Sequence, residues 1–270
     1  MILYGDYHTH TTYSHGTGRI LENAIVAKQK GLKEIAITDH GFSHFAYGMK
    51  VKDIEKMRKE CMEATEKTGV NVRLGVETNF VSMDGSIDLN SEQIKLFDII
   101  LCGHHRTAVP KSFKDFFQLT LANNCPFKPS KQKIERNTNM ILKALDKYPI
   151  DVLTHPCYKI DIDLLKVARK AKETGTKIEL NGKRINFSDD MILRLNDEKI
   201  PMIINSDAHS SNKVGECNLG INKAFKLDIN KDLLANVDKL LKRKKWVLLK
   251  RLNKKLFQRK LKTIVATFVF

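Results

Sequence analysis

The chain has 270 residues, 42% of them hydrophobic and 29% charged, with 14 Gly and 6 Pro; this excludes collagen-like, low-complexity and disordered classes and leaves a globular chain with room for a large core. No apolar run approaches the roughly 18 residues of a membrane span, the opening MILYGDYHTH lacks the basic start and apolar stretch of a signal peptide, and five scattered Cys without a CxxC pair suit neither a disulfide framework nor a zinc ribbon. A cytoplasmic protein with reduced thiols is expected. Of the net charge of +16, 11 positive charges fall between Leu241 and Phe270, where there is no Asp or Glu, so 16 less 11 leaves +5 for the first 240 residues.

In chain order, short apolar runs predict strands at 2–8, 34–38, 71–77, 97–103, 151–155, 177–181 and 201–207. Amphipathic stretches near 19–30, 53–68, 131–147, 162–174 and 188–198 lie between them and predict helices. Near-continuous apolar strands alternating with helices describe repeated β/α units around a parallel sheet. Residues 106–131 interrupt the alternation with Pro110, Pro126 and Pro129 around a short predicted helix at 113–123. This excursion reads either as a docked surface loop or as a lid, since loops after strand C-terminal ends carry specificity in such folds.

The polar residues collect at the ends of these strands. His8 and His10 stand two apart on the first strand and share a face, with Asp6 placed to receive an imidazole N–H. Later strands end in His40, Glu77, His105, His155, and Asp207 with His209, while His15 follows the first strand. In a barrel those ends converge on one rim, so these seven His and two carboxylates would meet as a metal cluster. Divalent ions held side by side bind phosphate oxygens and lower the pKa of a bridging water, which is the chemistry of phosphoester hydrolysis. Imidazole with a bridging carboxylate suits Zn, Mn or Fe better than Mg. Cys157 reads as packed rather than nucleophilic.

The motifs DYHTHT (6–11), ITDHG (37–41), GVE (75–77), the Gly-x-His of GHH (103–105), LTHP (153–156) and NSDAH (205–209) resemble, in order and spacing, those of the polymerase and histidinol phosphatase (PHP) superfamily, in particular its stand-alone phosphatases. The resemblance covers residues 1 to about 220. It implies a distorted (β/α)7 barrel of α/β class with up to three metals at the C-terminal ends of the strands. Carried over by position, it implies that His8, His10, Glu77 and Asp207 hold one ion, that Glu77 bridges to a second ion held also by His105 and His155, and that His15, His40 and His209 hold a third. His104 and His44 stay unassigned and read as solvated or supporting imidazoles. Asp207 and His209, with Arg184 and Arg106 near the rim as phosphate contacts, are expected to carry the reaction; Asn181 would support the site.

The expected activity is metal-dependent hydrolysis of a small phosphomonoester by a metal-bridging hydroxide. A nucleotide or oligonucleotide phosphodiesterase or exonuclease is the alternative within the superfamily; a panel of monoesters and diesters separates them. A metal-dependent amidohydrolase also places HxH on a barrel but uses a modified Lys where Glu77 stands, and a non-catalytic binding module would not need the filled ligand set. The expected organisation is a barrel domain over 1–245 and a tail over 246–270, where Leu249, Leu252, Leu256, Leu261, Val265 and Phe268 alternate with Lys and Arg as in a basic amphipathic helix. That helix would dock on the barrel, or contact nucleic acid or an anionic membrane. Oligomeric state is left open.

Overall fold

The computed structural model describes residues 1–124 and 128–237. The tail expected over 246–270 and its boundary at 245 lie outside the described residues. Seven parallel strands run in sequence order through one sheet: β1 (Gly5–Thr9), β2 (Glu34–Ile37), β3 (Asn71–Asn79), β4 (Ile99–Gly103), β5 (Val152–Leu153), β6 (Lys177–Asn181) and β7 (Met202–Asn205). The sheet curls until its first and last strands meet just beyond β7. Ala208 N–H donates to His8 O (3.2 Å) and His10 N–H donates to Ala208 O (2.8 Å). At the opposite end of the barrel, the buried Asn236 side chain donates to Gly5 O (2.8 Å) and Ile204 O (2.5 Å) and accepts from Ile204 N–H (3.1 Å), so one amide stitches β1 to β7.

Helices α1 (Ile20–Gln29), α2 (Ile54–Thr68), α3 (Lys131–Lys147), α4 (Leu164–Thr174), α5 (Asp189–Asp197) and α6 (Asn218–Lys226) cover the barrel. Their faces follow from spacing. In α2 the buried Ile54, Met57, Cys61, Ala64 and Thr68 recur at three- and four-residue intervals, and Gly69 ends the helix at φ 73°. In α5 the Ser188 hydroxyl caps the start by accepting from Met191 N–H, with Asp189 and Asp190 in the first turn. Between β3 and β4 only the short turn Ser91–Ile94 occurs. The predicted helix of the 106–131 excursion is found over 113–124, with π-helical turns at Phe116–Leu121; Leu119 is buried there while Phe113 is exposed.

The barrel interior is filled in layers. Its lower layer is apolar: Tyr7, Ala36, Ile99, Leu101, Val152 and Ile203 form one buried cluster. Above it, nearer the strand ends, the inward positions turn polar with Glu77, Glu179, Thr154 and Asn205. β1 carries an extra residue between Asp6 and Thr9 relative to β2, where Asp6 pairs with Ile35 and Thr9 with Ile37. Such a bulge breaks strict alternation, so Tyr7 joins the apolar layer while His8, its neighbour, joins the polar one.

Candidate metal centre

Glu77 stands at the middle of the polar layer, almost fully buried, and imidazoles approach it from four strands. His155 Nε2 lies 2.8 Å from Glu77 Oε1, which also accepts from the Thr154 hydroxyl (2.9 Å). Around Oε2 lie His40 Nδ1 (3.1 Å), His8 Nε2 (3.2 Å), His105 Nε2 (3.4 Å) and His10 Nε2 (3.6 Å). Asp207 Oδ1 faces the same space, 3.5 Å from His10 Nε2 and 3.8 Å from His8 Nε2. Gly103 makes this convergence possible, because a Cβ there would lie 2.4 Å from Thr154 Oγ1 and 2.8 Å from His155 Cε1. His155 and Asp207 adopt left-handed backbone conformations (φ 28° and 54°), which direct both side chains back over the barrel mouth.

The expected residues are brought together as follows. Ligand atoms close enough to share an ion, within 4.8 Å of one another, occur in the groups His8, His10, Asp207; His8, Glu77, His155; His40, Glu77, His105; and His10, His40, His209. His15 is in none of these groups, although its ring centroid lies 4.1 Å from that of His209 and 4.8 Å from that of His40. The expected trio His15, His40, His209 is therefore matched in these groups by His10, His40, His209. Arg184 lines the cavity above the cluster with its guanidinium 4.4 Å from the Tyr158 ring centroid. Arg106 is exposed and does not line that cavity. His44 is buried at its edge, where its Nε2 meets the Thr107 hydroxyl (2.6 Å) and its Nδ1 accepts from Tyr47 N–H (3.2 Å). His104 is buried with both ring nitrogens unpartnered and joins no ligand group.

Asp6 does not take the role expected of it. The bulge turns it off the His8 face, and its carboxylate accepts instead from Ser206 N–H (3.0 Å), the Ser206 hydroxyl (2.5 Å) and Gly215 N–H (2.8 Å). The imidazole partner is Glu179, which the sequence reading passed over. Its Oε1 receives His8 Nδ1–H (2.8 Å) and Asn205 Nδ2–H (3.1 Å); its Oε2 receives His155 N–H (2.7 Å) and Asn181 Nδ2–H (3.0 Å). Other supports are equally specific. His105 Nδ1 is fixed by Asn79 Oδ1 (2.7 Å), and the buried Asp39 accepts from Thr11 N–H (2.7 Å) and the Ser14 hydroxyl to hold the turn that carries His15. Lys183, also unforeseen, places its ammonium against Asp207 Oδ1 (3.3 Å) and His209 Nδ1 (2.5 Å).

The electrostatics favour a cation here. Burial alone would raise the pKa of Glu77, but His8 and His105, with hydrogen bonds from His105 and His155, hold it well below the ordinary carboxylate value. Asp207 is likewise held low against its burial by His8, His10 and Lys183. Around His8, burial is outweighed by Glu77, Glu179 and Asp207, which push its pKa well above the ordinary value. His10 is lowered to about 3 by burial, so one of its ring nitrogens keeps a free lone pair at neutral pH. The donor set fits metal ions on a further observation. His8 Nε2, both nitrogens of His10, His40 Nδ1 and Glu77 Oε2 are buried without a hydrogen-bond partner, and each such orphan costs about 1–3 kcal/mol unless something satisfies it. Ions shared among these atoms would satisfy His8 Nε2, His40 Nδ1, Glu77 Oε2 and one nitrogen of His10.

A model of the PHP domain family matches residues 6–178. A probable phosphatase of Thermoanaerobacter sp. (strain X514) is 32% identical over 251 residues, covering 86% of this chain and 90% of the relative. A probable phosphatase of Caldanaerobacter subterraneus subsp. tengcongensis is 32% identical over 260 residues, covering 87% and 88%. Among solved structures, the histidinol phosphate phosphatase of Lactococcus lactis subsp. lactis Il1403, in complex with zinc, L-histidinol and phosphate, shares the fold at TM-score 0.58 and 14% identity over 84% of this chain and 93% of that one. A histidinol phosphatase structure from Listeria monocytogenes gives TM-score 0.56 at 14% identity, covering 79% and 98%. The seven-stranded barrel with imidazoles and carboxylates at its mouth thus defines a metal-dependent hydrolase of the phosphatase class. The chain belongs to the PHP domain family.

Proposed function

We propose that this chain hydrolyses a small phosphomonoester, with His8, His10, His15, His40, Glu77, His105, His155, Asp207 and His209 holding up to three divalent ions. The observation that carries the reading is the set of unpartnered buried imidazole and carboxylate atoms around Glu77 Oε2, opening into a cavity with Lys183 and Arg184 on its wall. When bound, the ions supply neutralisation of phosphate oxygens and a hydroxide nucleophile at neutral pH. An imidazole-rich donor set with a shared carboxylate favours Zn, Mn or Fe over Mg.

The protein's own groups do the rest. Glu179 fixes the His8 ring and the His155 backbone; Asn79 fixes His105. Arg184 is braced on Tyr158 and has no acidic partner among the described residues, so its fork is available to two oxygens of a phosphate. The cavity, about 280 Å3, admits a phosphorylated metabolite rather than several nucleotides of a strand, which supports the monoester over the oligonucleotide alternative. Glu77 occupies the shared position for which an amidohydrolase would use a modified Lys. The buried thiols Cys61, Cys102 and Cys217 are free, which supports the cytoplasmic reading, and no helix among the described residues is long and apolar enough to cross a membrane. Elemental analysis of purified protein, with a panel of phosphomonoesters and phosphodiesters assayed in Mn or Zn, tests the proposal. Metal-dependent turnover of monoesters is expected; cleavage of diesters or oligonucleotides alone would overturn it.

A further inference from the structure

Lys183 is set in place by the end of β6. The Asn181 side-chain oxygen accepts both Lys183 N–H (2.9 Å) and Arg184 N–H (3.2 Å), so the two cationic residues leave the strand from one tight turn beside the mouth. From there the Arg184 side chain goes to Tyr158, whereas Lys183 turns onto the cluster. Its ammonium donates to His209 Nδ1 (2.5 Å) and to Asp207 Oδ1 (3.3 Å), and these two atoms are themselves 3.3 Å apart. The ammonium therefore shares Asp207 Oδ1 with one group able to hold an ion, Asp207 with His8 and His10, and touches a member of a second, His209 with His10 and His40. The Lys183 side chain is about one-third exposed (36%), so it has room to leave on its flexible stem.

An ammonium and a divalent ion cannot both take the same face of Asp207 Oδ1 without like-charge repulsion at contact distance. We propose that Lys183 is an internal cation that competes with a divalent ion for the Asp207–His209 edge of the cluster. The ion at that edge is consequently held more weakly than the ions gathered around Glu77, and it exchanges more readily. The inference rests on the reading of the cluster as a metal centre and adds a role for a residue outside the ligand set. A plain surface ion pair would put Lys183 against Asp207 alone; the shorter contact to His209 Nδ1 distinguishes the present arrangement.

Calorimetric titration of the full chain, stripped with chelator, with MnCl2 or ZnCl2 tests this. In Lys183→Met, which keeps the stem and removes the charge, the weakest ion should bind about tenfold more tightly, while tighter ions stay within about twofold. Lys183→Arg keeps a cation at the edge and should titrate like the wild type. Thermal melts of all three proteins establish that they are folded. Unchanged or weaker binding of every ion in Lys183→Met, with the wild type binding normally, overturns the competition and leaves the metal centre standing. A wild type that binds no ion overturns both.

Discussion

Glu179 Oε1 lies 2.8 Å from His8 Nδ1, and both side chains are wholly buried. This contact fixes which nitrogen His8 presents: with Nδ1 engaged, Nε2 is the atom that faces Glu77 and Asp207. The other oxygen of the same carboxylate holds the backbone of His155, so one residue on β6 positions an imidazole of β1 and one that follows β5.

Glu179→Gln should therefore lower metal affinity by about 10- to 100-fold, the usual range for loss of a partner behind a ligating imidazole. Glutamine offers one acceptor oxygen where four donors now converge, so its NH2 must confront at least one of His8 Nδ1–H, His155 N–H or the Asn181 and Asn205 amides. Metal content by elemental analysis, alongside turnover, reads the effect. Full metal occupancy and wild-type kcat would show that Glu179 merely fills the barrel.

Replacing Glu77 should cost most among the cluster residues. His8→Ala and Asp207→Ala each remove one ligand atom from the mouth, but Glu77→Ala removes the carboxylate shared by the His8, His155 group and the His40, His105 group. Hydrolysis should vanish in all three while circular dichroism still reports a folded barrel, with bound metal lowest for Glu77→Ala. Near-normal turnover in any of them, with metal unchanged, contradicts the assignment.

His105 and His104 should separate cleanly. On β4 the inward side is taken by Leu101 and Gly103, so His104 follows the outward parity, whereas His105 returns to the mouth and is fixed by Asn79. His105→Ala should reduce bound metal; His104→Ala should not. Equal losses would mean that the two imidazoles share one role.

Arg184 and Arg106 differ in the same way. Arg184→Ala should raise KM for a phosphomonoester and lower kcat/KM by about 10- to 100-fold with metal content unchanged. Arg106→Ala should leave both within twofold, because its side chain is exposed outside the cavity lining. The reverse ranking would relocate the phosphate contact.

Much of this cluster of imidazoles and carboxylates could be read from the chain because its members sit at strand ends, where short apolar runs stop at His40, Glu77, His105 and His155. The supporting residues carry no such mark. Glu179 alternates with Ile178 and Leu180 in KIELN and looks like any polar position of a strand, and only closure of the barrel turns it inward toward His8. Lys183 resembles many surface lysines until Asn181 fixes its turn. Strand lengths were misjudged where backbone geometry intervened: the run at 151–155 yields only Val152–Leu153 in the ladder, because His155 enters the left-handed region two residues later. The bulge in β1 left no trace in sequence alternation, and with it went the expected role of Asp6. Helix Asn218–Lys226 was also missed, lying beyond the final ligand motif with neither a predicted strand after it nor a capping side chain before it.

Acid should destabilise the chelator-stripped protein well before its carboxylates titrate. Burial lowers the pKa of His10 and His104 to about 3, and that of His15 and His44 to about 4, against the ordinary 6.5. Between pH 6.5 and about 4 the unfolded chain therefore binds more protons at these four imidazoles than the folded chain does. Stability rises with pH through this window and falls on acidification, by up to about 1.4 kcal/mol per pH unit for each fully buried imidazole and less for the half-buried His15. His8 contributes no slope there, because its pKa is raised in the folded state and both states are protonated below 6.5; its contribution is lost only as pH climbs through the folded value. Glu77 and Asp207, whose pKa values are lowered, begin to matter only below their ordinary values of 4.5 and 3.8. Melting temperatures measured at intervals from pH 7 to 5 should fall steadily, and His104→Leu, which removes one buried ring with no hydrogen bond to lose, should make the fall shallower. A flat profile over that range, or an identical slope in His104→Leu, would show that these imidazoles are not held neutral by the fold.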